Sequence, residues 1–113
     1  MSQSFQSTAT NTIYVRESPK TMLPWDKKPF TLTLDGTGTL ASDATLWTKI
    51  YKDATDMSAT LLSGSTTKTG LVITTPIVQN LVGGIVYTLY IHFSRDGVED
   101  TKACKIFCQK AGF

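Results

Sequence analysis

The fold is decided by Gly84–Phe93, which reads GIVYTLYIHF. From Ile85 every second residue is large and apolar: Ile85, Tyr87, Leu89, Ile91 and Phe93. Val86, Thr88, Tyr90 and His92 fall between them. A period of two is the mark of a strand that buries one face. Such a face is dried only by a second layer of structure stacked on it. Ser94-Arg-Asp-Gly97 follows, a turn with glycine at its end.

Working outward, the same alternation recurs. Thr101–Gln109 sets Cys104, Ile106 and Cys108 against Ala103, Lys105, Phe107 and Gln109. Ala44–Lys52 sets Leu46 and Ile50 against Trp47, Lys49 and Tyr51. Pro29–Asp35 turns Phe30, Leu32 and Leu34 one way and Thr31 and Thr33 the other. Thr12–Arg16, Ser58–Ser63 and Leu71–Gln79 complete the set, the last kinked or made an edge by Pro76. Met22–Lys28 lies in an irregular, proline-punctuated stretch, and Asp53–Asp56 reads as a turn. No window carries sustained helical spacing. About seven antiparallel strands joined by Gly, Asp and Ser turns over residues 12–109 give the pattern of a sandwich or barrel, and the expectation is an all-β domain, an immunoglobulin-like β-sandwich. Residues 1–11 and 110–113 are tails.

Composition agrees. The 113 residues suffice for one domain. Charged residues make up 18%, against about 25% in ordinary domains. Uncharged polar groups, threonine above all, take their place, and β-branched threonine suits strands. A net charge of +2, with Asp26 beside Lys27-Lys28 and Asp53 beside Lys52, gives no basic stripe and no expectation of nucleic acid. No run is long and apolar enough to span a membrane, and residues 1–11 have neither a basic start nor an apolar core of a signal peptide. Cys104 and Cys108 would lie ~13 Å apart along a strand, too far to bond to each other. Two buried thiols suit synthesis in a reducing compartment.

Chemistry-bearing clusters are few. His92, Ser94 and Asp96 are the nearest approach to a nucleophilic triad, but no elbow or oxyanion nest accompanies them. Asp53/Asp56 and Asp96/Glu99/Asp100 sit in turns, where carboxylates cap the backbone, and they lack the spacing of a calcium loop. Gly36-Thr-Gly38 leads into no helix and makes no phosphate loop. The expectation is therefore no enzyme, no metal and no cofactor. Trp25, Trp47 and Tyr51 admit two readings. Trp47 packs between the sheets and Trp25 plugs an end or serves an interface; alternatively the three form an exposed platform for carbohydrate.

Leu81–Leu89, LVGGIVYTL, reads as a tight corner at Gly83 and Gly84 followed by an inward tyrosine, Tyr87. In immunoglobulin-like domains a tyrosine so placed returns its hydroxyl to the corner's backbone. With Ile13-Tyr14-Val15 before Pro19, TLTLDGTGTLASDATLW at Thr31–Trp47, LLSGS at Leu61–Ser65 and LVGGIVYTLYIHFSRDG at Leu81–Gly97, the chain resembles the small immunoglobulin-like virion proteins of tailed bacteriophages, of fibre–tail adaptor or head decoration type. It departs from the commonest adaptor pattern in ending its last strand with cysteines instead of a basic tail. The resemblance implies a structural role in a virion, made in the host cytoplasm and arranged as a homo-oligomeric ring or array among other virion proteins. The Ser/Thr/Gln-rich segment 1–11, with its one aromatic Phe5, is expected to be held by neighbouring chains. The Met22–Lys28 segment, with Trp25, Asp26, Lys27 and Lys28, supplies the other expected contacts. Trp47, Gly83, Gly84 and Tyr87 are expected to define the fold.

Overall fold

The alternation in residues 86–108 builds the central feature of the molecule, a long hairpin. In this computed structural model the described residues are 12–14, 20–41 and 45–110. Their elements, in order, are β1 (Thr12–Tyr14), β2 (Lys20–Met22), β3 (Thr31–Thr33), β4 (Trp47–Lys52), β5 (Thr55–Asp56), α1 (Ser58–Leu61), β6 (Leu62–Ser63), β7 (Thr67–Thr69), β8 (Val72–Thr74), β9 (Ile77–Val78), β10 (Val86–Arg95) and β11 (Val98–Cys108). The protein is all-β, with α1 a single helical turn.

β10 and β11 pair antiparallel from Val86↔Phe107 to Arg95↔Val98. Their two-residue connection is Asp96-Gly97, both at positive φ, as a hairpin turn matched to strand twist requires. β4 pairs with the other side of β10, and β5 pairs with β4 at Tyr51 and Lys52 only. β1 and β2 both pair with the far edge of β11, and both do so in parallel. The strand order of this mixed sheet is β1-β11-β10-β4-β5, with β2 also on β11. A second sheet runs β3-β8-β7, and β6 pairs with β9. An isolated bridge at Lys28↔Val78 joins the segment before β3 to β9.

One core joins these sheets. Ile50, Tyr87, Leu89, Ile91, Phe93, Cys104, Ile106 and Cys108 from the large sheet share it with Ile73, Val78, Leu34 and Leu61. Burying such side chains is worth about 1.5–3 kcal/mol each, so the row Tyr87–Phe93 is a principal source of stability. Cys104 and Cys108 are free and buried. Removal from water raises the Cys108 thiol above its ordinary pKa, with the Asp26 charge adding to the effect.

The structure corrects four expectations. The pairing is not antiparallel throughout, because β1 and β2 run alongside β11 in the same direction. Ser58–Ser63 is not one strand. Its first four residues turn helically, the Thr60 and Leu61 amides donating to the Met57 carbonyl. Lys20–Met22 is regular, and Met22 is buried in the core instead of offering a contact. Thr55–Asp56, expected as turn, pairs with β4.

Candidate functional site

The outward face of the large sheet follows from register. Directly opposed residues share a face, so Trp47, His92 and Thr101 form one row and Lys49, Tyr90 and Ala103 the next. Tyr51, Thr88 and Lys105 make a third, and Val86 and Phe107 a fourth. Trp47 lies on this face and is 38% exposed, so it does not pack between the sheets. Its indole stacks on the His92 imidazole, with centroids 4.8 Å apart and planes within 7°. The Lys49 ammonium sits 4.9 Å from the centre of the same ring, a cation–π arrangement.

His92 is fixed from both nitrogens. Nε2 is 2.8 Å from Glu99 Oε1, and Nδ1 is 2.9 Å from Thr101 Oγ1. A carboxylate only accepts, so Nε2 carries a proton; in the neutral ring Nδ1 then accepts from the Thr101 hydroxyl. Neither nitrogen is left for Ser94, and Asp96 spends Oδ1 on the Thr39 amide. The triad spelled by His92, Ser94 and Asp96 is not assembled.

Nor do Trp25, Trp47 and Tyr51 form one platform. Tyr51 meets Tyr90 edge-on, at 5.5 Å and 88°. Trp25 follows β2, which is separated from β4 by β11 and β10. Three strand spacings put β2 and β4 ~14 Å apart. Along β11 the β2 contact reaches Cys108, whereas the Trp47 row crosses it at Thr101. The two tryptophans therefore occupy opposite ends of the sheet.

At the Trp25 end, Leu23–Asp26 is a rigid turn. The Asp26 amide donates to the Leu23 carbonyl, and Asp26 Oδ2 accepts from the Leu23 amide. The turn displays Trp25, 64% exposed, with Lys27 and Lys28 also exposed beyond it. Pro24 in this turn approaches Gly83 so closely that a Cβ there would meet Pro24 Cγ at 3.4 Å and the Gln109 carbonyl at 3.0 Å. Gly84 has φ +86°, the left-handed region that favours glycine. Tyr87 lies beneath, buried, and its Oη accepts a 2.9 Å hydrogen bond from the Val82 amide. Val82, Val86 and Phe107, exposed like Trp25, add apolar surface to this end. The Val82 and Phe107 contributions were not singled out in the sequence; adjacent exposed apolar residues on an outward face were the available signal. Phe5 lies outside the described residues.

Opposite this end, a groove of about 540 Å³ runs beside the first half of β4. Trp47, Thr48, Ser65 and Thr66 are among its lining residues. Among the described residues no His, Cys, Asp or Glu cluster is of a kind to hold a metal ion, and no helix is long and apolar enough to cross a membrane. Comparison with family models, curated proteins and solved structures finds no match.

Proposed function

We propose that the chain is an immunoglobulin-like β-sandwich serving as a non-enzymatic building block of a tailed-phage virion, a neck or tail adaptor or a capsid decoration. Support for the fold comes from strand order. β4, β10 and β11 stand where C, F and G stand in such domains, and β3, β8 and β7 where B, E and D stand. The Tyr87 hydroxyl returning to the Val82 amide supports it further. The first strands depart from the commonest arrangement by joining β11 instead of β3.

One observation carries the assembly role: Trp25, Val82, Val86 and Phe107 stand exposed at one end of the molecule, Trp25 and Val82 on a turn and corner that approach closely at Pro24 and Gly83, Val86 and Phe107 on the adjoining strands. Rigid exposed aromatics beside apolar residues are what interface cores use, because little conformational entropy is lost on docking. The segment 1–11 is the second proposed contact, and neighbouring copies and other virion proteins are the proposed partners.

Mass spectrometry of purified phage particles tests the reading. The chain should be found in stoichiometric amounts. Trp25→Ala should deplete it from particles while leaving its unfolding midpoint unchanged. Absence of the wild-type chain from particles refutes the virion reading, and full occupancy by the variant refutes the contact.

A further inference from the structure

We propose that the groove beside Trp47 binds a neutral saccharide. The inference is independent of the assembly role, which uses the other end of the molecule. It starts from the early end of β5, which pairs with Tyr51 and Lys52 and goes no further. The outer edge of β4 is therefore open at residues 46–48. Ile50 directs its N–H to Ser58 Oγ and its carbonyl to the Met57 amide, both on the side away from β10. By strand alternation Thr48 turns its N–H and carbonyl the same way, into the groove.

The side chains there match a sugar's two kinds of surface. Thr48 Oγ1 and Thr66 Oγ1 are 2.8 Å apart, and both residues are only 9% exposed. Two hydroxyls carry two protons, and their mutual bond uses one. Among the described residues the other has no acceptor, a cost that a ligand hydroxyl removes. Ser65 adds a further hydroxyl at the lining. Trp47 supplies the apolar counterpart. His92 occupies one indole face and holds the ring upright, and the exposed Lys49 side chain, whose ammonium lies over the ring, is what a stacking sugar would displace. Polar hydrogen-bonding groups set beside a fixed aromatic ring suit a pyranose, with its hydroxyl rim and its C–H face.

Charge narrows the ligand class. The lining contains no ionisable side chain. Lys49, whose ammonium stands over the Trp47 ring, is exposed and is not among the lining residues. Phosphates and carboxylates gain nothing inside such a groove, whereas a neutral polyol satisfies it. The volume of about 540 Å³ accommodates one or two sugar rings.

The test is an amide and indole chemical-shift titration of the full chain with maltose, lactose and diacetylchitobiose. At least one should shift the Trp47 indole N–H and the Thr48, Ser65 and Thr66 amides saturably, with a Kd of order 1 mM. Trp47→Ala should weaken binding by at least about tenfold. That variant also removes the His92 stack, so Thr66→Val, which leaves the stack in place, reads the hydroxyl alone and should weaken binding ~3–10-fold. Three results overturn the proposal: no saturable shift from any of the three sugars, shifts that survive both substitutions, or shifts produced by a tetrathreonine peptide but by no sugar. The last would assign the edge to strand addition instead.

Discussion

Tyr87→Phe is the sharpest test of the corner that closes the Trp25 end. The ring is 2% exposed and stays apolar in the variant, so packing is retained. Only the hydroxyl goes, and with it the 2.9 Å bond from the Val82 amide. That bond is part-buried, and it spans a corner whose glycine approach leaves little room to rearrange. A net hydrogen bond is worth ~0.5–1.5 kcal/mol, and a donor left unpaired in a buried place costs ~1–3 kcal/mol. Partial burial places the loss near the overlap, at about 1.5 kcal/mol. For a chain of 113 residues each kcal/mol moves Tm by ~3–5 °C, so the midpoint should fall by ~5–8 °C. Thermal unfolding followed by circular dichroism, paired with a urea midpoint at constant m-value, measures it. A fall below ~2 °C would show that water replaces the hydroxyl without loss and that the corner is held by its glycines alone.

Those glycines give a contrast. Gly84→Ala meets no atom within 4 Å, so only the left-handed backbone is strained, and it should cost ~1–2 kcal/mol in urea unfolding. Gly83→Ala must displace backbone at Gln109 and Lys110, both 3.0 Å from the new carbon, and should cost more. Thr48→Val should destabilise by ~1–2 kcal/mol by stranding the Thr66 hydroxyl, while the double Thr48→Val/Thr66→Val variant should recover part of the loss; a strictly additive cycle would deny the pair. Asp56 accepts from the side chain and amide of Ser58, which lowers its pKa below the ordinary carboxylate value, the side-chain bond contributing most. A lowered acid contributes stability above its unfolded pKa and loses it as pH falls through the folded one, so Asp56→Asn should flatten the acid limb of the stability curve below about pH 4. Cys104 and Cys108 should resist a thiol reagent until the chain unfolds, and reaction at native rates would contradict their burial.

The hairpin was legible because its alternation is long. Ile85 to Phe93 gives five readings of one face; the pairing with β11 keeps Tyr87, Leu89, Ile91 and Phe93, and Ile85 packs against the core just before β10 begins. Tyr87 and its corner were legible for a local reason, five residues separating donor from acceptor. Lys20–Met22 was not, because three residues between prolines carry no period; β11 makes them a strand by supplying an edge. Parallel pairing is likewise a property of the partner. Ser58–Leu61 misled because Ser-Ala-Thr-Leu is indifferent to conformation, and the hydrogen bonds of Met57 and Ser58 to Ile50 decide it. Trp47 illustrates the limit at the site. Its face could be read, and the strand register that gives it His92 as a neighbour could not. The groove depends on where β5 stops pairing, 18 residues of chain closing Thr66 onto Thr48, which no local pattern encodes.

The two parallel strands on β11 have a further consequence, for how copies of the chain avoid each other. An eleven-residue strand left bare is a template for runaway polymerisation, since any extended segment can add to it. Here β1 takes Thr101–Ala103 and β2 takes Ile106–Cys108. Among the described residues the other margins are short: β5, β6 and β9 are two residues long, β3 and β7 three, β7 carrying Lys68, and β4 is open only where β5 stops pairing with it. Short and charged margins resist amyloid-like stacking. With its longest edge covered, the chain presents its ends and faces, not a bare strand, to any protein it meets.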